Sequence, residues 1–200
     1  MQKETYEWID SWCDLTDKSD LPRIALIGDS ITRGYQKVVR DALSGRCYVD
    51  FFATSNAMDN PLYFGVLQLF LQNSSYAAIH YNFGLHGKHL DQTAYENGLL
   101  RVCSLLPKGC RLILATTTEP YLVEQGEEIY WTWAPLVKER NAVLLRFAKE
   151  KSIPVDDLHS LSLTMKKQEL AGDGIHFSSD GFARLGKQVV ATLETNLLNS

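Results

Sequence analysis

Residues 23–43 constrain the fold more than any other part of the chain. This stretch begins with an apolar run from Ile24 to Ile27 and then passes through Gly28-Asp29-Ser30 into a sequence with helical spacing. An apolar run without alternation is typical of a strand that is buried on both faces, as in a parallel sheet. Ser30 is therefore expected where a buried strand turns into a helix, at the edge where open α/β sheets bind ligands.

The alternation of strand and helix continues to the C-terminus. Further strands are predicted at residues 48–53, 76–83, 111–116 and 153–157, and helices at residues 33–43, 61–71, 91–106, 133–151 and from Ser178 or Ser179 onward. Five strands that alternate with helices, joined by right-handed connections, predict an α/β fold: a doubly wound parallel sheet with helices on both faces. The common order for five strands is the flavodoxin-like order 2-1-3-4-5. In that order the loops after the second and third strands flank Ser30.

The chain has the length of one ordinary domain, so we expect a single domain over residues 1–200. Near its start, Trp8, Ile9 and Trp12 have helical spacing, which predicts a short helix at residues 3–13. We therefore expect residues 1–20 to form an N-terminal helical flap across the edge of the sheet.

The turn at Ser30 is compatible with several chemistries. A nucleotide-binding loop needs Gly-Lys-Ser/Thr after a longer glycine loop, and a dinucleotide fold needs Gly-x-Gly-x-x-Gly, but the turn has neither. The nucleophile elbow of α/β-hydrolases needs a glycine two residues either side of the serine, and Thr32 occupies the second position. Because a turn with two hydroxyls can also bind a phosphate or a flavin, the turn alone leaves catalysis and binding open.

Polar residues near the C-terminus favour catalysis. Asp173 and His176 stand three residues apart on a glycine-rich stretch, just before a long amphipathic run. A serine nucleophile needs an imidazole that takes its proton and a carboxylate that orients the imidazole. One loop can deliver both groups to Ser30. Singly, each residue is better explained by helix capping, packing or a turn, but together with Ser30 they favour a catalytic site.

Gly28-Asp29-Ser30-Ile31 and Asp173-Gly174-Ile175-His176 resemble the first and last conserved blocks of the SGNH, or GDSL-type, esterases and acylhydrolases. The two blocks stand far apart, so the resemblance spans nearly the whole chain. It implies that Ser30 is the nucleophile and that Asp173 and His176 complete a catalytic triad. It also implies the strand order given above.

The two middle blocks of that family, which supply oxyanion-hole donors, are matched less closely. The family glycine falls near Asn56, and the Gly-x-Asn-Asp block falls within residues 81–87. One alignment of this block makes Asn82 the side-chain donor, and the other gives the family's Asn position to His86. We favour Asn82, together with the Ser30 N–H, because an amide is a permanent donor whereas His86 donates only as one tautomer or as a cation.

A long connection is predicted at residues 117–132, after the fourth strand. It contains Tyr121, Tyr130 and Trp131 together with four glutamates. Connections of this length are usually functional or disordered, and a flat aromatic ring can stack on a sugar or wall an acyl pocket. We therefore expect these three aromatic residues to bind substrate, with a self-packed surface loop as the alternative.

Charge and hydropathy exclude several classes of function. The net charge is −4 and the basic residues are scattered, so the chain lacks the basic stripe that nucleic acid requires. No run of about 18 apolar residues is present, which argues against a membrane span. Residues 1–9 lack the basic start and apolar core of a signal peptide. We expect a cytoplasmic protein, unless a leader has been removed.

His80, His86 and His89 raise the question of a metal site. Zinc needs three or four converging ligands, and no cysteine or carboxylate completes the spacing nearby. We therefore expect neither a metal nor another cofactor. The four cysteines form no C-x-x-C pair and are expected to be free thiols.

We interpret the sequence as that of a serine esterase that hydrolyses an O-acyl ester, such as an acetyl group on a carbohydrate. Its partner is then a small-molecule or glycan ester, and the sequence does not indicate an oligomeric state. Two alternatives remain open. One is a flavodoxin-like module that binds a phosphate or a flavin, and the other is a degenerate esterase that retains the triad but serves in binding.

Overall fold

The chain is built around a mostly parallel sheet. The structure is a computed structural model that describes residues 2–124 and 127–198. Within these ranges the sheet has six strands, which are β1 (Ile9–Trp12), β2 (Arg23–Gly28), β3 (Tyr48–Thr54), β4 (Ala78–Asn82), β5 (Arg111–Ala115) and β6 (Val155–Asp156). Their order is β1-β3-β2-β4-β5-β6, with β1 antiparallel to β3 and the other pairs parallel. Without β1, this is the predicted order 2-1-3-4-5.

Helices cover both faces of the sheet, as predicted. In chain order they are α1 (Ser30–Leu43), α2 (Pro61–Gln72), α3 (Gln92–Leu105), α4 (Glu127–Lys151), α5 (Leu158–Ser162) and α6 (Ser179–Leu193). Successive residues of β2 point to opposite sides. Ile24 and Leu26 belong to the apolar core with α1 and α6, whereas Ala25 and Ile27 belong to the core with α2 and α3. This burial on both faces explains the apolar run without alternation.

The predicted N-terminal helical flap at residues 1–20 is wrong. Ile9–Trp12 forms the edge strand β1, which pairs with β3 from Ile9 opposite Thr54 to Trp12 opposite Phe51. Ile9 and Trp12 are 38% and 52% exposed, so their helical spacing does not mark a buried face. Without β1, the outer edge of β3 would present unpaired backbone N–H and C=O groups. A strand at Ile9–Trp12 provides hydrogen-bond partners for them, which favours a strand over a helix in this segment.

The connection after β5 is shorter than the predicted residues 117–132. Helix α4 begins at Glu127 and not at residue 133, with Glu127 and Glu128 in its first turn, where the helix dipole favours acidic side chains. Pro135 lies inside this helix. Tyr130 and Trp131 are therefore helical residues, and positions 125 and 126 of the predicted connection lie outside the described residues.

The last strand is also shorter than predicted, since β6 covers two residues of the expected range 153–157.

Among the helices of the described ranges, none is long and apolar enough to cross a membrane.

Candidate active site

Ser30 is the first residue of α1, and a single residue, Asp29, separates it from the end of β2. Asp29 caps the helix, because its Oδ1 accepts a hydrogen bond of 3.0 Å from the Ile31 N–H. The turn also needs the glycine before it. A Cβ on Gly28 would lie 2.1 Å from the carbonyl oxygen of Asn82, in the neighbouring strand β4. Ser30 thus lies at the carboxyl edge of the sheet, as predicted.

Thr32, the second hydroxyl of the turn, faces the interior of the protein. Its side chain is fully buried, and its Oγ1 lies 3.0 Å from the Tyr35 hydroxyl and 3.4 Å from the Asn82 carbonyl oxygen. The turn therefore offers one accessible hydroxyl, that of Ser30, and not the hydroxyl pair considered for a phosphate or a flavin.

Asp173 and His176 stand on a tight loop between the short 3-10 turn Lys167–Glu169 and α6. Gly174 in this loop has a φ of +87°, which favours glycine. Asp173 Oδ1 accepts hydrogen bonds from the backbone N–H groups of Ile175 and His176, at 2.9 and 2.7 Å. These bonds hold the carboxylate in a fixed position beside the His176 ring.

The side chains of Ser30, His176 and Asp173 form one hydrogen-bonded series. Ser30 Oγ lies 2.8 Å from His176 Nε2, and His176 Nδ1 lies 2.6 Å from Asp173 Oδ2. The His176 and Asp173 side chains are 38% and 50% exposed, so the series is open to a ligand. The structure therefore brings together the three residues that the sequence singled out.

The ionisation state of Asp173 suits a position beside the His176 ring. Burial raises the pKa of Asp173, but hydrogen bonds from the backbone N–H groups of His176 and Ile175 and from the His176 ring outweigh it and lower the pKa to about 2. Asp173 is therefore a carboxylate at neutral pH. It accepts a hydrogen bond from the Nδ1–H of His176. In the neutral ring, Nε2 is then free to accept the proton of Ser30.

Tyr121, which we predicted to bind substrate, packs against this loop through its hydroxyl. The hydroxyl donates to the His176 carbonyl oxygen at 2.5 Å and accepts from the Gly172 N–H at 3.0 Å. The Tyr121 N–H also donates to the Gly174 carbonyl oxygen at 2.9 Å. These bonds hold both ends of the catalytic loop, a supporting role that the sequence did not indicate. Substrate binding by Tyr121 stays a prediction.

Tyr130 and Trp131 lie near the start of α4 and pack edge to face, with ring centroids 5.0 Å apart. Tyr130 and Tyr121 both line a cavity of about 250 Å³ beside Phe177. Trp131 is 64% exposed and is not among the residues that line this cavity. Substrate binding by Tyr130 and Trp131 likewise stays a prediction.

Asn56 and Asn82, two candidate donors for an oxyanion, are both 2% exposed. The backbone N–H and the Nδ2 of Asn56 both donate to Thr54 Oγ1, at 3.0 and 2.8 Å. Asn82 is the last residue of β4, its Cα is paired with that of Gly28, and its Nδ2 donates to the Thr116 carbonyl oxygen at 3.1 Å. Because an amide nitrogen carries two hydrogens, the Asn82 Nδ2 retains a second N–H beyond the one bonded to Thr116.

His86, the competing candidate, is engaged by the N-terminal segment. Its Nδ1 lies 2.9 Å from Glu4 Oε2, and Glu4 Oε1 accepts the Gly87 N–H at 3.3 Å. Burial raises the pKa of Glu4, but the hydrogen bond and charge of His86 outweigh it, so the pKa is lowered and Glu4 is a carboxylate. A neutral His86 then carries its proton on Nδ1. Its Nε2 is buried, and no hydrogen-bond partner for it exists among the described residues.

The loop that carries His86 is held by two residues whose roles the sequence did not reveal. Arg140, which is 2% exposed, donates through Nη1 and Nη2 to the carbonyl oxygens of Gly84, His86 and Gly87 at 2.6 to 2.8 Å. Asp29 Oδ2 accepts the Gly84 N–H at 3.4 Å, which ties the loop to the Ser30 turn. These partners are more than 50 positions apart in sequence, so no local pattern signals them. The position of Asp29 just before α1 could signal a capping role, but not this contact.

We expect Asn82→Ala to lower kcat by about 100-fold to 1,000-fold on an aryl acetate with little change in KM, because it removes one donor to the developing oxyanion. His86→Ala should lower kcat much less, since its Nδ1 serves Glu4 and its Nε2 is covered. Steady-state kinetics give both values. Thermal unfolding of Asn82→Ala shows whether losing the hydrogen bond to Thr116 destabilises the fold, which separates that effect from the loss of the oxyanion donor. The reverse ranking in kcat would make His86 the donor.

No metal cluster is found in the part of the chain that the structure describes: no group of three or more His, Cys, Asp or Glu side chains converges there. His80 is fully buried. Its Nε2 lies 3.0 Å from Asp156 Oδ2, and its Nδ1 lies 3.3 Å from the Tyr35 hydroxyl. His80 is therefore a packed histidine within a buried polar network.

Solved structures with this fold include several esterases. A lipase/acylhydrolase from Enterococcus faecalis superposes with a TM-score of 0.69 at 17% identity, covering 88% of this chain and 97% of its own. A protein assigned to the SGNH hydrolases from Slackia heliotrinireducens gives 0.67 at 16% identity, covering 87% and 100%. A carbohydrate acetylesterase family member from Sinorhizobium meliloti gives 0.69 at 15% identity, covering 88% and 99%.

These TM-scores and coverages establish a shared fold over nearly the full length of each protein. The chain therefore has the α/β fold of SGNH hydrolases, which the resemblance of its first and last blocks implied. No protein-family model matches the chain, and no curated protein matches it in sequence.

Proposed function

We propose that the protein is a serine esterase that hydrolyses an O-acyl ester, such as an acetyl group on a carbohydrate. The observation that carries this proposal is the series Ser30 Oγ to His176 Nε2 at 2.8 Å and His176 Nδ1 to Asp173 Oδ2 at 2.6 Å. This is the order of nucleophile, base and orienting carboxylate that acyl transfer requires. It stands at the carboxyl edge of a parallel sheet, where α/β folds bind ligands.

In the first half of the proposed reaction, Ser30 Oγ attacks the carbonyl carbon of the ester while its proton passes to His176 Nε2. Asp173 stabilises the imidazolium that forms. When the tetrahedral intermediate collapses, the bond between the carbonyl carbon and the alcohol oxygen breaks, and His176 returns the proton to the leaving alcohol. The products of this half are a free alcohol and an acyl group bound to Ser30.

In the second half, a water molecule attacks the acyl carbon and gives one proton to His176 Nε2. The bond between the acyl carbon and Ser30 Oγ then breaks, and His176 returns the proton to Ser30. The carboxylic acid leaves. In both halves the negative oxygen lies near the N-terminus of α1, where the Ser30 N–H and the Asn82 amide are the proposed donors.

The comparisons support the class of substrate. Structures of this fold include a lipase/acylhydrolase and a carbohydrate acetylesterase. The open, partly exposed triad of this chain suits an ester whose acyl group is small and whose alcohol extends into solvent. An O-acylated glycan has both properties.

The proposal is tested by labelling with a fluorophosphonate probe followed by peptide mapping. We expect covalent labelling at Ser30, because such a probe reacts with a serine that an imidazole activates. The Ser30→Ala variant is the control and should remain unlabelled.

Three kinds of outcome would contradict the proposal. Labelling of another serine would overturn the assignment of the nucleophile. No labelling, under conditions in which a control esterase reacts, would favour a degenerate esterase that serves in binding. A yellow preparation or a bound phosphate detected by mass spectrometry would favour the flavodoxin-like module.

A further inference from the structure

We propose that the acyl group of the ester carries a carboxylate and that Arg33 binds this carboxylate. The inference rests on the proposed function and names the acyl group of its substrate. Arg33 lies on α1, three residues after Ser30. Residues three apart on a helix are neighbours, with Cβ atoms roughly 5 to 6 Å apart. Helical side chains also tilt toward the N-terminus of their helix, which directs Arg33 toward the turn that holds Ser30.

The guanidinium of Arg33 is held at this edge of the sheet by Trp8. Its Cζ lies 4.4 Å from the centroid of the Trp8 ring, within the range of a cation–π contact. The Trp8 N–H donates to Ser55 Oγ at 2.8 Å, and the Trp8 carbonyl oxygen accepts from Thr54 Oγ1 at 2.8 Å. These bonds fix Trp8 at the end of β3. Because β3 is the parallel neighbour of β2, its end lies beside the turn of Ser30.

Arg33 and His176 approach Ser30 from different sides of α1. On a regular helix, Arg33 lies about 60° from Ser30 in one direction around the axis, and Gly34 lies about 40° in the other. Gly34 faces α6, because a Cβ there would lie 2.1 Å from the Phe182 ring. The catalytic loop leads into α6, and His176 Nε2 lies 2.8 Å from Ser30 Oγ. The space in front of Ser30 is therefore bounded by His176 on one side and by Arg33 on the other.

The proposed reaction decides which part of the ester faces Arg33. His176 protonates the leaving alcohol, so the alcohol oxygen must lie beside His176 Nε2. The oxyanion lies toward the sheet, where the Ser30 N–H and the Asn82 amide are the proposed donors. The acyl group takes the remaining direction around the carbonyl carbon, on the side of Arg33. The substrate is then a half-ester of a dicarboxylic acid, and hydrolysis yields the alcohol and that acid.

The guanidinium of Arg33 is available for such an anion. Within residues 2–124 and 127–198 it forms neither an ion pair nor a side-chain hydrogen bond. The carboxylates of the site are engaged elsewhere: Asp29 and Asp173 accept backbone N–H groups that follow them in the chain, and Glu4 is bonded to His86. A guanidinium stays charged in proteins and can bind a carboxylate through two parallel N–H···O bonds.

The first test compares hydrolysis of two esters of the same shape. Benzyl hydrogen succinate carries the carboxylate, and benzyl levulinate carries a neutral methyl ketone in its place. We expect Arg33→Gln to lower kcat/KM on the succinate about fivefold more than on the levulinate, mainly through KM. Arg33→Lys keeps the charge and should retain part of the preference. Release of benzyl alcohol, measured by chromatography, gives the rates.

Salt dependence identifies the effect as electrostatic. Raising the salt from about 20 mM to about 500 mM should reduce the preference of the wild type for the succinate, because salt screens exposed charges. The same change should leave the ratio of the two rates unaltered in Arg33→Gln. A purely structural role of Arg33 would not produce this difference.

Arg40→Gln is the matched control. Arg40 also lies on α1 and over a tryptophan, with its Cζ 5.4 Å from the centroid of the Trp12 ring, but it stands two helical turns further from Ser30. It should change neither rate. A second pair, O-acetylglycolate and its primary amide, carries the charge on the alcohol instead. Arg33→Gln should lower the rates on this pair to the same extent.

The second test measures binding without hydrolysis and separates this inference from the proposed function. The two benzyl esters are titrated into Ser30→Ala and into Ser30→Ala/Arg33→Gln, with calorimetry as the readout. We expect the succinate to bind Ser30→Ala about fivefold more tightly than the levulinate, and the second substitution to remove this difference. Failure of the fluorophosphonate to label Ser30 would end the proposed function, whereas this titration reports on Arg33 alone.

Three results would overturn the inference. These are equal losses of Arg33→Gln on the succinate and the levulinate, the same loss of preference in Arg40→Gln, and a loss in Arg33→Gln that is confined to O-acetylglycolate. The last result would place the charge on the alcohol. The Arg33 side chain is exposed, so its substitution leaves the core intact and the variants are expected to fold.

Discussion

Ser30→Ala and His176→Ala are each expected to lower kcat for hydrolysis of an aryl acetate by about a millionfold. The reason is the 2.8 Å contact between Ser30 Oγ and His176 Nε2. Without the hydroxyl there is no nucleophile, and without the imidazole the hydroxyl keeps its proton at neutral pH. Steady-state kinetics with a chromogenic acetate ester measure the loss.

The double variant Ser30→Ala/His176→Ala should be no less active than either single variant. Groups that act as one unit lose their effect together, so the second substitution finds nothing left to remove. Ser104→Ala is the matched control, because Ser104 lies on α3 and its hydroxyl donates within that helix, to the Arg101 carbonyl oxygen at 2.7 Å. If the two losses simply multiply, Ser30 and His176 are not a nucleophile and its base.

The parallel part of the sheet could be predicted because its cause is local. Its inner strands are mainly apolar, and burial on both faces leaves no regular alternation that would suggest another structure. The edge strand β1 could not be predicted in the same way. Trp8, Ile9 and Trp12 have helical spacing, but Ile9 and Trp12 are largely exposed, so the pattern did not report a buried face. What places this segment is pairing with β3, about 40 residues later in the chain.

The start of α4 was missed for a related reason. The aromatic and acidic residues after β5 suggested a functional loop up to residue 132, whereas α4 begins at Glu127. As a result, Tyr130 and Trp131 occupy a rigid helix, and the supporting contacts of the catalytic loop come from Tyr121.

Some residues of the candidate site could likewise be recognised from local sequence patterns, and others are placed only by contacts between distant parts of the chain. Ser30, Asp173 and His176 could be found because each belongs to a short pattern whose chemistry is recognisable. The residues around them could not. Glu4 meets His86 across more than 80 positions, and Arg140 meets the same loop across more than 50. Such contacts arise from the arrangement of the elements, which no local pattern encodes.

Asp173→Asn is expected to lower kcat on the same ester by roughly 10,000-fold while leaving the fold intact. The asparagine oxygen can still accept the two backbone N–H bonds that Asp173 Oδ1 accepts from Ile175 and His176. Its amide nitrogen then faces His176 Nδ1 and donates to it. The proton of the neutral ring therefore moves to Nε2, where it blocks transfer from Ser30.

The pH dependence of the wild type and of Asp173→Asn tests whether protonation of Asp173 limits activity. The pKa of Asp173 is lowered to about 2, so the folded state favours the carboxylate, and the stability that this supplies is present above the ordinary Asp pKa and lost as the pH falls toward 2. Protonation of Asp173 therefore does not limit activity between pH 4 and pH 9. We expect the Asp173→Asn variant to be impaired across that whole window, with no pH at which it equals the wild type.

Asp180→Asn provides the matched control, because it removes the same charge from the first turn of α6, a few residues beyond the catalytic loop. It should leave kcat on the aryl acetate within about twofold, since a single exposed charge contributes little. A tautomer measurement by ¹⁵N NMR of His176 completes the test. A loss in Asp173→Asn of less than about tenfold, or a ring that keeps its proton on Nδ1, would mean that Asp173 holds the loop through its backbone bonds and does not orient the base.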